Sequence, residues 1–519
     1  MASMNGSGIA IGDIVSVLKE KGLFVSLSQP EGAAGLDTPL AGCTFDSREV
    51  KPGYLFFAKG IHFHPRYLTS AVEAGAACYV ANEQLADELK DLPAARSCLG
   101  IVVTDVRLAM AAIPPVFYDH PDRDLTIVGV TGTKGKSSTT VMLRTILKAE
   151  HRSAGIMGSI LNDDGIENFE AFNTTPEAPE LWRHLDNCRK AGHKAMLLEV
   201  SSQALKYNRV LGVPFSIACF TNISRDHISP VEHRDFADYL ASKLRIFERC
   251  HTAVVNLGTD HLDEVMAAAK QAERVVTIGV EHPEADACAT NIHSDETDAV
   301  FTLTLSPALS ETAGEPQTVE VKLGMPGTFN VENALTAIAC ARIMGVPMEC
   351  ILEGLLHVHV PGRMDMIRSK DGQVIGIVDF AHNKYSYEAI FGYVHQEYPE
   401  HTIVSIFGAR GDKAQERRHE CPEVASRYSD LMILSEEDPA HEDVLALCEE
   451  VASHLPAGAN YEIQVDRELA AKRAFEYARG HRPAVVLLLA KGAETHQQRG
   501  DNFVTVKSDM ELAKEFIEG

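Results

Sequence analysis

One stretch limits what this chain can become: Leu125-Thr-Ile-Val-Gly-Val-Thr-Gly-Thr-Lys-Gly-Lys-Ser-Ser-Thr-Thr140. The β-branched run from Thr126 to Val130 reads as a buried strand, which a glycine-rich turn then breaks. From Ser137 onward, Ser-Ser-Thr-Thr-Val-Met-Leu-Arg-Thr-Ile-Leu opens a helix. Strand, turn and helix in that order are the setting of a phosphate-binding loop. Glycines let backbone N–H groups turn inward around phosphate oxygens, and the helix N-terminus adds its positive dipole end. The strict spacing G-x-x-x-x-G-K-[ST] is not met: its first glycine would fall on Val130, whereas glycines stand at 129, 132 and 135. Such turns also occur without a nucleotide, but the flanking strand and helix favour a nucleoside triphosphate. The expected binding set is Gly132, Thr133, Lys134, Gly135, Lys136, Ser137 and Ser138. Lys136 supplies a point charge for the β and γ phosphates, and the Ser137 hydroxyl is placed to ligate Mg²⁺.

A chain of 519 residues is too long for one ordinary core and suggests roughly three domains. The first has a helix over 12–21, short strands at 43–45, 54–58, 77–81 and 100–104, and a helix over 66–74 ending at Gly75. Pro114-Pro115 and the polar 118–124 stretch read as a linker. From Leu125, strands near 125–130, 195–200, 216–222, 252–257 and 274–280 alternate with helical stretches, which predicts a doubly wound, mainly parallel sheet. Stretches 300–305 and 319–323 read as antiparallel strands appended to it, and 330–344 as an amphipathic helix. Pro361-Gly-Arg-Met364 marks a further boundary. A second α/β series follows through 374–380, 402–407, 431–435, 462–465 and 485–490. The fold expected is therefore α/β in three domains: mixed α/β over 1–122, an ATPase-like doubly wound sheet over 123–360, and a Rossmann-like unit over 361–519.

The net charge of −25 argues against non-specific nucleic-acid binding, which needs a basic face. It leaves acidic substrates open, because local Arg, Lys and Mg²⁺ can offset the overall field. Eleven cysteines without a C-x-x-C pair indicate neither a zinc site nor a disulfide framework. With no signal-like opening and no run of ~20 apolar residues, the expectation is a cytoplasmic protein that does not insert into membranes.

Several strand ends carry polar groups, and ligands of open α/β sheets bind beyond the carboxyl ends of strands. Glu199, in Leu-Leu-Glu-Val-Ser-Ser202, is placed as a Mg²⁺ ligand, with a surface ion pair as the alternative. Asp226 and His227 sit on the same rim. Lys243, on a helix soon after, reads by default as an exposed lysine. Asp46-Ser-Arg48 suits either a pyrophosphate site or a surface turn, and His62 and His64 read as loop histidines rather than ligands. Three loops, Asp379-Phe-Ala-His-Asn383, Gly408-Ala-Arg-Gly-Asp-Lys413 and Lys491-Gly-Ala-Glu-Thr-His-Gln497, follow strands of the last unit and line one cleft.

Together with Asn173-Thr-Thr-Pro176, Arg225-Asp-His227, Asn330-x-x-Asn333 and Pro361-Gly-Arg363, these motifs resemble the Mur ligases over essentially the whole chain. The resemblance implies an ATP-dependent ligase that forms an amide bond during peptidoglycan synthesis. The N-terminal Asp46-Ser-Arg48 unit and Lys491-Gly-x-Glu494 are similar to the branch that extends a UDP-N-acetylmuramoyl-dipeptide by one free amino acid. By the same resemblance Lys136, Glu199, His227 and Lys243 are catalytic, and two Mg²⁺ ions fall to Ser137, Glu199, His227 and a carbamylated Lys243. ATP would also touch Asn330, Asn333, Arg363 and Asp379. The UDP-muramoyl-peptide would touch Ser47, Asn173, Thr174, Thr175, Ser201 and Arg209, and the amino acid Arg410, Asp438, Pro439, Ala440 and Glu494. The expected form is a monomer.

The stretch Glu437-Asp-Pro-Ala440 departs from the Asp-Asn-Pro-Arg of ligases that add meso-diaminopimelate, whose Arg grips the distal carboxylate. Ala440 is similar to the lysine-adding branch, and Asp438 makes the pocket more anionic, which suits an ammonium. Ala493 stands where Lys-Gly-His-Glu has its His. A diaminopimelate- or ornithine-adding ligase, a D-Ala-D-Ala-adding ligase and a folylpolyglutamate synthetase remain the alternatives.

Overall fold

The computed structural model describes residues 8–60, 63–169, 173–229, 232–295, 297–312 and 314–518. It divides into two compact units: residues 1–129, 153–217 and 248–251, and residues 130–152, 218–247 and 252–519.

The first unit holds a five-stranded sheet in the order Phe24–Ser28, Leu99–Val103, Cys78–Asn82, Tyr54–Phe57, Gly42–Thr44. Only the first pair is antiparallel. Helices cover both faces, as parallel strands require. Ile14 and Leu18 of Ile11–Glu20 pack with Met110 and Ile113 of Val106–Phe117 on one side. Leu68 and Ala71 of Pro65–Glu73 pack on the other. His64 caps that helix, its Nδ1 accepting from Arg66 N at 3.2 Å, while His62 lies outside the described residues. The expected linker at Pro114-Pro115 is instead the last turn of Val106–Phe117. Those prolines forfeit two ladder bonds, but the apolar face of Val106, Ala109, Met110 and Ile113 holds the helix down, and both proline carbonyls still accept, from Tyr118 N and His120 N. Two further parallel strands, Ala154–Met157 and Ala195–Glu199, belong to this unit, and the first of them is not evident from sequence.

In the second unit, residues 252–256, Arg274–Val280 and the first residues of Ala287–Ser294 pair in parallel, then Ala287–Ser294, Ala299–Leu305 and Gln317–Leu323 form the antiparallel extension. Helix Phe329–Ile343 is not amphipathic: Asn333 through Ala341 are all buried. Helix Lys136–Ala149 and strand Arg274–Val280 both pack against it, which covers residues 333–341 all round. Helix Met348–Leu356 meets Lys136–Ala149 just as closely, for a Cβ on Gly354 would lie 2.5 Å from Ile146 Cα.

A six-stranded sheet follows in the order Asp365–Arg368, Val374–Asp379, Ala484–Leu489, Thr402–Phe407, Leu431–Leu434, Tyr461–Ile463. All pairs are parallel except the first. Apolar clusters fill both faces. Parallel strands end on one side, so the loops after Asp379, Phe407, Leu434 and Leu489 share one edge. A hairpin, His496–Arg499 with Asn502–Thr505, caps that region and is not evident from sequence.

Candidate active site

The loop over residues 132–136 needs its glycines for space as well as conformation. At Gly132, φ is +150° and a Cβ would lie 1.9 Å from Thr221 Oγ1; at Gly135, φ is +86° and a Cβ would lie 2.1 Å from Asn333 Oδ1. Gly135 is the N-cap of helix Lys136–Ala149, so Ser137 and Ser138 fall in its first turn. Lys136 Nζ donates to Gly132 O at 2.9 Å and Thr133 O at 3.1 Å, arching over the loop. Thr133 is tied to Tyr239 OH at 3.0 Å, and Lys134 N donates to Asn222 Oδ1 at 2.9 Å. Asn333, two-thirds of the chain away from the N-terminus, is thereby placed beside the loop, and its amide donates to Asn330 Oδ1 at 3.3 Å.

Lys134 reaches His382, with Nζ 3.0 Å from Nε2. The His382 Nδ1 donates to Phe380 O at 2.6 Å, which fixes the tautomer and leaves Nε2 to accept. Burial, with help from the neighbouring Arg417 and Lys136 against an opposing Asp226, brings the Lys134 ammonium down to about 7. Burial likewise keeps the His382 ring neutral.

Lys243 is not the exposed lysine its helix position suggests. Only 2% exposed, it donates to Gly132 O at 2.7 Å and stands over the Tyr239 ring. Burial first, then the charges of Lys136 and Lys134, pull its pKa well below the usual lysine range. A neutral amine is the form that adds CO₂ to give a carbamate. His227, at φ +56°, donates from Nδ1 to Glu232 Oε1 at 2.7 Å, which leaves Nε2 as a lone pair for a ligand. Burial alone would raise Glu232, but the bond from His227 overrides it and brings the carboxyl to about 2. Asp226, 1% exposed, accepts from Arg417 Nη2 at 2.5 Å and Nε at 3.2 Å, and from Asn383 Nδ2 at 2.7 Å. Glu232, Asn383 and Arg417 are supporting residues that sequence reasoning did not single out. No local motif marks Arg417, which lies 191 residues from its partner.

Arg363 stacks over the Phe380 ring at 4.5 Å. Asp379 accepts Met364 N at 2.9 Å and Ala381 N at 2.7 Å, so it pins the Pro361-Gly-Arg363 turn against its own loop. Burial raises its pKa, with Arg363 opposing.

In the first unit, Glu199 ends its strand 2% exposed, which does not fit a surface ion pair. Its Oε1 accepts Ser159 N at 2.9 Å, and the Ser159 hydroxyl bonds Thr174 Oγ1 at 2.9 Å. Thr175 Oγ1 donates to Glu199 O at 2.8 Å and accepts from Ser201 N at 3.0 Å. Arg209 Nη1 donates to Thr175 O at 3.1 Å and pairs through Nε with Glu177, which Lys59 also reaches at 2.8 Å. Five of the expected residues therefore share one network, with Asn173 next to it in sequence. Ser47 lies in the turn after Gly42–Thr44, where Asp46 binds the side chain of an Arg48 that is 87% exposed, the surface-turn arrangement.

The loops after the last sheet's strands touch backbone to backbone. A Cβ on Gly362 would lie 2.4 Å from Ala493 N, one on Gly408 2.1 Å from Ser435 O, and one on Gly411 1.8 Å from Pro439 O. On this frame Arg410, Asp438 and Lys491 form a cluster: Arg410 Nε and Nη2 both donate to Asp438 Oδ2, and Lys491 Nζ donates to Oδ1 at 3.0 Å. Lys491 also reaches Glu494 Oε2 at 2.8 Å. Asp438 is thus engaged by two cations instead of standing as a free anion. Ala440 is buried, at φ +47°, with Pro439 before it.

Residues 130–341 match the Mur ligase middle domain, and residues 362–492 match the Mur ligase glutamate ligase domain. The chain is 32% identical over 527 residues to a UDP-N-acetylmuramyl-tripeptide synthetase of Lactobacillus delbrueckii subsp. bulgaricus, covering 98% of this chain and 99% of that one. It is 34% identical to a UDP-N-acetylmuramoyl-L-alanyl-D-glutamate–L-lysine ligase of Streptococcus thermophilus, covering 91% and 92%. The chain belongs to the Mur ligase family. Like other Mur ligases it is an ATP-dependent, amide-bond-forming enzyme of peptidoglycan synthesis. A solved UDP-N-acetylmuramoyl-L-alanyl-D-glutamate–2,6-diaminopimelate ligase shares the fold, with TM-score 0.62, 22% identity and coverage of 98% and 99%. Among the described residues no helix is long and apolar enough to cross a membrane.

Proposed function

We propose that this Mur ligase joins L-lysine to the D-glutamate γ-carboxyl of UDP-N-acetylmuramoyl-L-alanyl-D-glutamate at the expense of ATP. What carries the reading is the full-length likeness to relatives named tripeptide synthetases and L-lysine ligases. Ala440, where an arginine would grip a second carboxylate, supports lysine over meso-diaminopimelate. The γ-carboxylate attacks the γ-phosphate of ATP, the β–γ bond breaks and ADP leaves, and the amine then displaces phosphate from the acyl phosphate through a tetrahedral intermediate. Lys136 and the loop amides hold the β and γ phosphates, while Asn330, Asn333, Arg363 and Asp379 frame the nucleotide. Ser47, Asn173, Thr174, Thr175, Ser201 and Arg209 hold the UDP-muramoyl-peptide. Arg410, Pro439, Ala440 and Glu494 face the amino acid.

By the family resemblance two Mg²⁺ ions would fall to Ser137, Glu199, His227 and a carbamylated Lys243, and would supply charge neutralisation for phosphoryl transfer. What supports it is that His227 turns Nδ1 to Glu232, with no hydrogen bond at Nε2 among the described residues, and that burial pulls the Lys243 pKa well below the usual lysine range. What the protein itself adds is placement: oriented donors and a dry site. In this reading the division at 1–122, 123–360 and 361–519 assigns one substrate to each part, and the enzyme works as a cytoplasmic monomer.

Phosphate release with UDP-muramoyl-dipeptide, UDP-muramoyl-tripeptide and a folate tests the acceptor, and L-lysine, L-ornithine and meso-diaminopimelate test the amine. A buried carboxylate without a partner costs several kcal/mol, so a preference for lysine over diaminopimelate of ~10²-fold or more is expected, equivalent to about 3 kcal/mol. Ornithine, one methylene shorter, is separated by only ~1–3 kcal/mol. Faster turnover with diaminopimelate overturns the lysine assignment.

A further inference from the structure

We propose that Asp438 is a positioning residue that makes Arg410 the anchor for the α-carboxylate of the incoming amino acid, and that Asp438 does not receive the amino acid's side-chain ammonium. The inference rests on the amino-acid ligase reading above.

A carboxylate offers about four acceptor positions. In Asp438 all of them are taken: Oδ2 by Arg410 Nε at 3.1 Å and by Arg410 Nη2, Oδ1 by Lys491 Nζ at 3.0 Å and by Gln498 N at 3.1 Å. Burial would raise this carboxyl, yet Arg410 and Lys491 hold it well below the usual range. A substrate ammonium would have to displace one of two cations already in place. Lys491 is equally engaged, for its three N–H groups go to Asp438, Glu494 and the His496 carbonyl. Its side chain is 2% exposed and that of Asp438 5%, whereas that of Arg410 is 36% exposed.

Arg410 is therefore the one ion of the three with donor capacity on an open side. Nε and Nη2 are turned to Asp438, with Glu437 Oε1 also 3.5 Å from Nε, and among the described residues no hydrogen-bond partner takes Nη1. A guanidinium fixed along one edge and open at the other presents a planar donor of set direction, which suits a carboxylate. Every amino-acid substrate brings an α-carboxylate, so this contact serves binding and leaves the choice of side chain to other residues. It also explains why an acid at 438 is compatible with an anionic ligand: its charge is turned inward, onto Arg410 and Lys491.

Paired substrates test this within each variant, independently of how much protein is active. L-lysinamide lacks the α-carboxylate and L-norleucine lacks the ε-ammonium. The wild type is expected to favour L-lysine over L-lysinamide by at least tenfold in kcat/KM, and Arg410→Ala to bring that ratio near one. Asp438→Asn should lower the same ratio and raise KM for L-lysine while KM for ATP stays within about twofold. The lysine-to-norleucine ratio should remain at the wild-type value in Asp438→Asn, and Arg410→Ala/Asp438→Asn should be no worse than Arg410→Ala. If Arg410→Ala is inactive with both amines, the ratios in Arg410→Lys and Asp438→Asn decide. An unchanged lysine-to-lysinamide ratio, or a fall in lysine-to-norleucine preference in Asp438→Asn, overturns the proposal. Failure of the ligase reading looks different: the wild type would then release no phosphate with UDP-muramoyl-dipeptide and any amine.

Discussion

Replacing Asp226 by asparagine should loosen two helices that do not contain it. The carboxylate accepts Arg417 on Oδ1 and Asn383 on Oδ2. An asparagine there must point its NH₂ at one of two donors. Asn383 cannot turn over to accommodate it, because its own Oδ1 caps helix Lys384–Glu397 by accepting Ser386 N at 3.1 Å. If the NH₂ faces Arg417, a guanidinium with a side chain only 10% exposed loses its counter-charge. Removing one partner of a buried pair costs about 3–5 kcal/mol. At about 1.4 kcal/mol per factor of ten, protection against hydrogen exchange in Lys384–Glu397 and Arg417–Ala425 should fall by ~10²–10³-fold. Exchange read peptide by peptide by mass spectrometry measures it without assuming that the whole chain unfolds in one step. The companion change Arg417→Met should cost a similar amount alone, and the double variant at least about 2 kcal/mol less than the sum, since no orphan charge remains. Protection within threefold of wild type in Asp226→Asn, or strict additivity in the double variant, refutes the reasoning.

Lys243→Ala should be nearly inactive in phosphate release, with part of the activity returning on addition of a short-chain carboxylic acid that takes the place of a carbamate; full activity in the alanine variant would make the buried amine a packing feature only. Lys134 should leave a pH signature in stability. Its folded-state pKa of about 7 lies below the unfolded ~10.4, so between these values the unfolded chain binds the extra proton and stability rises with pH, and Lys134→Met should flatten that rise in urea midpoints taken from pH 7 to 10. Gly135→Ala should raise KM for ATP at least tenfold, because the φ of +86° and the Asn333 amide both oppose a Cβ; an unaltered KM would show that the loop yields.

Much of this architecture is legible in the sequence because it is local. Apolar runs of five or six residues ending at glycine or acid mark the strands up to Asp379, Phe407 and Leu489, and Gly132 to Ser137 announces a phosphate site through conformations only glycine tolerates. What escapes is decided by distant packing. Helix Phe329–Ile343 looks amphipathic until the helices and sheet around it cover its polar side as well. Lys243 looks exposed because its helix has the usual charge pattern, and only the fold brings Gly132 O to its amine. Asp438 reads as a free anion for the same reason: neither Arg410 nor Lys491 is its neighbour in sequence. The family resemblance supplied the roles of His227 and Lys243, which no spacing rule would assign.

The glycine contacts that lock the loops at 362, 408 and 411 against their neighbours bear on how such an enzyme changes substrate. With carbonyls and amides in direct touch, an insertion or a bulkier residue in that frame displaces several loops at once. Within that frame Arg410, Asp438 and Lys491 are tied to one another and change together, whereas the side chain at 440 can be exchanged alone. Selection, or a designer, can therefore retune the amine accepted through point substitutions such as that at 440, while the loop lengths stay fixed.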